Sequence, residues 1–151
     1  MAKAGYSAAV GAAVALAAAT PKSILSVIAP SQFGVDLKKV RISFDGVTAS
    51  AAPVLVEIVS FTTDGTGTAG TVNQIYGRTV TPGFTSKYNY SAEPTTPTVI
   101  DRYTLTPNGG LAIYDWPLGD SPDCAASSLI AVRCTAPAIV NANATLWFER
   151  C

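Results

Sequence analysis

Between Val35 and Asp45 apolar and polar residues alternate. Val40, Ile42 and Phe44 point one way; Lys39, Arg41, Ser43 and Asp45 point the other. Successive strand side chains leave opposite faces, so this run predicts a strand with one buried and one wet face. Residues 53–62 are apolar on both faces. Val54, Val56 and Ile58 line one side, and Leu55, Val59 and Phe61 the other, with Glu57 between them. A strand without a wet face belongs in the middle of a sheet or at an interface. Shorter runs predict strands over 23–29, 72–79, 84–90, 99–106, 111–116, 128–135 and 144–150, separated by Gly, Pro, Asn and Asp. In the last of these, Leu146 and Phe148 share a face opposite Trp147.

The connections carry their own signals. Asp45-Gly46 predicts a turn. Pro107-Asn108-Gly109-Gly110 lies between two apolar runs and predicts a hairpin, with glycine taking the positive φ. Residues 63–71 read as a Gly/Thr hairpin loop, and residues 93–97 as a Pro/Thr linker. The glycine spacing at 63–71 matches neither nucleotide-binding fingerprint, and no lysine follows it. Helical periodicity is weak. The alanine-rich start favours helix by propensity, but Gly5 and Gly11 interrupt it. Residues 1–12 read as an extended arm, and residues 13–19 as a strand. The expected architecture is all-β: an antiparallel, jelly-roll-like β-sandwich over residues 21–151, preceded by an N-terminal arm over residues 1–20.

Composition narrows the function. Only 13% of the 151 residues are charged, about half of the usual ~25%. Ten basic residues balance ten acidic ones, and there is no histidine. Scattered basic residues at zero net charge give no footprint for nucleic acid. Without histidine there is no Ser-His-Asp triad, no Cys-His dyad and no His-ligated zinc. No stretch of ~20 strongly apolar residues predicts a membrane span. The start resembles a secretory leader in its single Lys3 and its Ala17-Ala18-Ala19, but its apolar stretch is nearly all alanine, so it reads as a retained arm. Cys124, Cys134 and Cys151 form no C-x-x-C pair, and so sparse a count argues against a structural disulfide.

Few residues suggest chemistry. Asp115, Asp120 and Asp123 have calcium-type oxygens, but Pro117 and Pro122 interrupt them and turn capping is the simpler role. Glu93, Asp101 and Asp115 offer carboxylates of the kind that hydrolyse glycosides, with nothing to fix their separation. Tyr88, Tyr90, Tyr103, Tyr114 and Trp116 suit a core, a subunit interface or, less readily, a glycan platform. The sequons at Asn89 and Asn143 read as chance matches. No cofactor, metal or catalytic set is expected.

An ordered series of short motifs resembles small structural proteins of tailed bacteriophages. The series is Ser23-Ile24-Leu25 to Ala29-Pro30, Ile42-Ser43-Phe44-Asp45-Gly46, Pro53-Val54-Leu55-Val56-Glu57, Pro107-Asn108-Gly109-Gly110, Val132-Arg133-Cys134-Thr135-Ala136-Pro137-Ala138 and Thr145-Leu146-Trp147-Phe148-Glu149. Such proteins are similar to capsid decoration, or cement, proteins. The resemblance implies a homotrimer on the outer surface of the virion capsid that bridges subunits of the major capsid protein, without enzymatic activity. The contacts expected on that reading are Met1, Lys3, Tyr6, Val10, Val14 and Leu16 of the arm, the apolar face of Leu55, Val59 and Phe61, and Tyr114 with Trp116. A tail or head-surface adhesin that binds host glycans through Tyr88, Tyr90, Tyr114 and Trp116 is the alternative.

Overall fold

The structure is a computed structural model that describes residues 4–45, 52–77, 79, 81 and 83–151. Its strands are β1 (Gly5–Ala9), β2 (Val14–Leu16), β3 (Lys22–Ile28), β4 (Val35–Asp45), β5 (Val54–Thr63), β6 (Thr66–Tyr76), β7 (Thr85–Ala92), β8 (Thr95–Leu105), β9 (Leu111–Asp115), β10 (Asp123–Cys124), β11 (Leu129–Thr135) and β12 (Val140–Arg150). All the strand pairings are antiparallel. The all-β antiparallel sandwich expected from the sequence is therefore present. The hydrogen-bonded order is β10-β4-β12-β1-β6-β7-β3-β11-β5-β8, with β2 on β12 and β9 on β4. The sheet folds over on itself and is nearly closed. One half centres on β4, β12 and β1, the other on β3, β11 and β5. Long β6 joins them, pairing with β1 through one end and β7 through the other.

Alternation sets the inner face. Val40, Ile42 and Phe44 of β4, Ala142, Ala144, Leu146 and Phe148 of β12, and Val54, Val56 and Ile58 of β5 are all buried in one core. Tyr6 enters that core from β1 and meets Phe84 and Phe148 at ring-centroid distances of 5.5 and 5.8 Å. The second face of β5 is also covered. Val59 and Phe61 form a smaller cluster with Leu129 and Ala131 of β11. Leu55, at the other end of that face, is only half-buried.

Four sequence expectations need correction: the segment expected as a Pro/Thr linker over 93–97 is strand from Thr95, with Pro97 opposite Phe61, and the other three concern residues 5–9, the Gly/Thr segment and the Asn-Gly turn. Residues 5–9 are not a projecting arm but a central strand: β1 lies between β12 and β6, with Tyr6 opposite both Phe148 and Gln74. Val10 continues the ladder by donating its N–H to the Ala144 carbonyl at 3.1 Å. A side chain on Gly5 would collide with the Tyr76 ring and Ala8 is fully buried, so the segment that looks too weakly apolar for a core strand is one. Of the arm residues expected to make contacts, Tyr6, Val14 and Leu16 are buried, Val10 packs against the core, and Met1 and Lys3 lie outside the described residues.

The Gly/Thr segment is largely strand too, because Thr66–Gly70 pairs with β7. The Asn-Gly signal marks a turn but not a hairpin. β8 pairs with β5 and β9 with β4, so the chain crosses there from one half of the sandwich to the other. Gly109 takes φ +74°, and a Cβ on Gly110 would collide with the Thr106 carbonyl. Gly110→Ala is expected to cost about 1–3 kcal/mol, measured by chemical denaturation, because this backbone must shift. The Asp45-Gly46 turn extends beyond the described residues.

All three cysteines are free. Cys134 is fully buried, and burial pushes its thiol pKa up. Burial raises Cys124 to about 11. Cys151 is exposed. A thiol reagent at neutral pH should modify Cys151 alone in the native protein and all three after unfolding. Rapid native modification of two or more would contradict this packing.

Candidate interaction surface

Glu57, Arg102 and Arg133, whose pairing the sequence does not announce, form a buried polar site. Glu57 lies on the second face of β5, 3% exposed. Arg102 of β8 donates Nε and Nη2 to Glu57 Oε1 at 2.9 and 2.5 Å, and Arg133 of β11 donates Nε to Oε2 at 2.8 Å. Cross-strand register puts both arginines directly opposite Glu57. Burial alone would raise the Glu57 carboxyl, but the hydrogen bonds from Arg133 and Arg102 outweigh it and hold the carboxyl below its ordinary value. Both carboxylate oxygens are occupied, so the group is built to hold three strands together rather than to transfer a proton. The signal was a lone Glu in an apolar strand.

The carboxylates considered for hydrolysis are not assembled into a pair. Glu93 accepts from the Ser23 backbone N–H and hydroxyl at 2.8 and 2.5 Å. Asp101 caps the next backbone N–H at 2.8 Å. Asp115 pairs with Lys39 at 3.3 Å on the other half of the sandwich. The aromatics are also dispersed. Tyr90 is buried, with its hydroxyl 2.6 Å from that of Ser26 and 3.0 Å from Asp64 Oδ1. Tyr88 and Tyr103 pack against the core. Tyr114 and Trp116 stay together, edge to face at 4.9 Å. Trp116 leans on the core while Tyr114 remains 46% exposed.

One solvent-exposed surface is the outer face and free edge of the β4 half. Register aligns Ile113, Arg41 and Thr145 in one row and Leu111, Ser43 and Asn143 in the next. Between these rows and the Gly109-Gly110 turn lies a shallow groove of about 540 Å³, bounded by Ala9 and Val10. Arg41 and Lys39 flank Trp147 at 5.4 and 5.5 Å from its ring, a cation–π arrangement that holds their heads on this face. Strands hold all of these residues except Val10 and the turn glycines. The alternating pattern of this surface was legible in the sequence; the position of β9 beside β4 was not.

Comparisons with family models, with characterised proteins and with solved structures return no match.

Proposed function

We propose that this chain is a capsid decoration protein of a tailed-phage head. On this reading it is a jelly-roll-like homotrimeric module that sits on the outer surface of the capsid, bridges major capsid subunits and performs no catalysis. The observation that carries the proposal is the outer face of the β4 half, where a shallow groove runs along Arg41, Ser43, Asn143 and Thr145. A decoration protein needs such a face, because it binds a preformed shell and adds its binding free energy to shell stability. Low charge fits a molecule much of whose surface is covered by neighbours. The motif series read from the sequence supports the phage setting. Host-glycan adhesion draws less support, since Tyr90 is buried and Tyr88 packs inward, away from Tyr114.

Adding purified protein to mature heads that lack it tests the proposal. Wild type should bind to saturation, and Arg41→Glu should bind at least tenfold more weakly. Failure of the wild type to bind would overturn the decoration role. Unchanged binding by both Arg41→Glu and Asn143→Arg would overturn the choice of face.

A further inference from the structure

Among the described residues β8 and β9 each pair with a single neighbouring strand, and their outer edges are protected unequally. β8 pairs only with β5, and its outer edge carries Pro97 and a bulge where Ile100 is left out of the ladder between Val99 and Asp101. Proline and bulges are common means by which edge strands avoid pairing with another chain. β9 carries neither. Among the described residues it pairs only with β4; its one charge, Asp115 at the end of the strand, is paired with Lys39, and its other exposed side chains are apolar: Leu111 is 56% exposed, Ile113 54% and Tyr114 46%.

Hydrogen-bond parity shows what this edge offers. Trp116 N–H donates to the Lys38 carbonyl at 3.2 Å. In an antiparallel ladder bonded pairs alternate, so Tyr114 and Ala112 turn their backbone groups toward β4, while Leu111, Ile113 and Asp115 turn theirs outward. We propose that β9 pairs antiparallel with β9 of a second copy of this chain, about a two-fold axis at Ala112.

In this register Leu111 lies opposite Ile113 of the second copy, and Ile113 opposite its Leu111. Each pair exchanges two backbone hydrogen bonds, and four aliphatic side chains gather on the outer face. Tyr114 and Asp115 fall opposite Gly110 and Gly109 of the other copy, where no side chain obstructs them. A shift of two residues, centring the axis on Ile113, would instead set the Asp115 carboxylate against Leu111. Charge therefore favours the first register. Isologous contacts of this kind must be self-complementary, and the Leu-x-Ile repeat is.

Area sets the strength. The exposed parts of Leu111, Ile113 and Tyr114 with the outward backbone amount to on the order of 400 Å² per protomer, about half of the ~800 Å² per partner in a standard interface. The dimer is therefore weak in dilute solution and forms where copies are concentrated. The pairing rests on the edge geometry alone and does not require the phage setting; in the homotrimer of the proposed function the same edge would join one trimer to another.

Sedimentation from micromolar to millimolar protein tests it. Wild type should dimerise with rising concentration. Ile113→Lys, which puts a charge beside Arg41 at a half-exposed site, should raise the dissociation constant at least tenfold without moving the thermal midpoint. Register is read by oxidative crosslinking with oxidised glutathione in a Cys151→Ser background. Ala112→Cys should crosslink to a covalent dimer, since it faces itself across a non-hydrogen-bonded pair, whereas Thr104→Cys on β8 should not. A wild type that stays monomeric at millimolar concentration would overturn the proposal. So would a dimer indifferent to Ile113→Lys, or one that crosslinks through Thr104→Cys and not Ala112→Cys.

Discussion

Deletion of residues 1–12 is expected to abolish folding, not merely to remove a tether. β1 is hydrogen-bonded on both sides, to β12 and to β6. Its loss would leave two inner strand edges unpaired and remove Tyr6 and Ala8, both buried, from the core. Removing a large buried aromatic costs about 3–5 kcal/mol by itself, and the whole domain is held by about 5–15 kcal/mol. The truncated protein should be insoluble or should lack a cooperative unfolding transition. A finer dissection is available at Tyr6. Tyr6→Ala should cost about 3–5 kcal/mol. Tyr6→Phe should cost less than about 1 kcal/mol, because the hydroxyl finds no partner among the described residues. A truncated chain that unfolds cooperatively would contradict the central position of β1.

The second large effect is expected at Glu57. Its two arginines are not equivalent: the Arg102 side chain is 59% exposed and the Arg133 side chain 18%. Arg133→Met should cost about 3 kcal/mol, because it strips a buried carboxylate of its less solvated partner. Arg102→Met should cost under about 1 kcal/mol, as for an exposed pair. Replacing Glu57 and Arg133 together by Met should recover most of the loss, since neither charge is then left buried and unpaired. The pH dependence has a definite sign. The folded-state pKa of Glu57 is lowered, so the stability it contributes is complete above its unfolded value, near 4.5. That contribution is lost as pH falls through the lower folded value. Denaturation between about pH 5 and pH 2 should therefore show a shallower acid loss for Glu57→Gln than for the wild type. Equal slopes would mean that the carboxylate is not held ionised by the arginines.

Residue pattern revealed local structure reliably and long-range pairing poorly. β4 was readable because its two faces differ in polarity at every step from Lys39 to Asp45. β5 was readable as a two-sided apolar strand, and the second face is indeed covered at Val59 and Phe61. What covers it, the cluster with Leu129 and Ala131, depends on register between strands some seventy residues apart in sequence. β1 was misread because Gly5, Ser7, Ala8 and Ala9 give almost no apolar signal of their own. Gly5 is needed because Tyr76 fills the space of a side chain and Ala8 because it is fully buried, which only the assembled sheet reveals. The crossover at Pro107–Gly110 failed for a related reason. A tight turn has the same residues whether the chain folds back in its own sheet or passes to the opposite one, and the choice is made by the partners β5 and β4. The interaction surface shares this character. Arg41, Ser43, Asn143 and Thr145 each announce a wet strand face, but nothing local says that β4 and β12 bring them together beside an open β9 edge.

A shell-decorating role is tested most directly by counting copies of this chain on intact, purified virus particles by quantitative mass spectrometry against the major capsid protein. A decoration protein should be present at hundreds of copies per particle, in a fixed ratio to the shell subunit. A handful of copies, or none, would contradict it and point instead to a tail or vertex component.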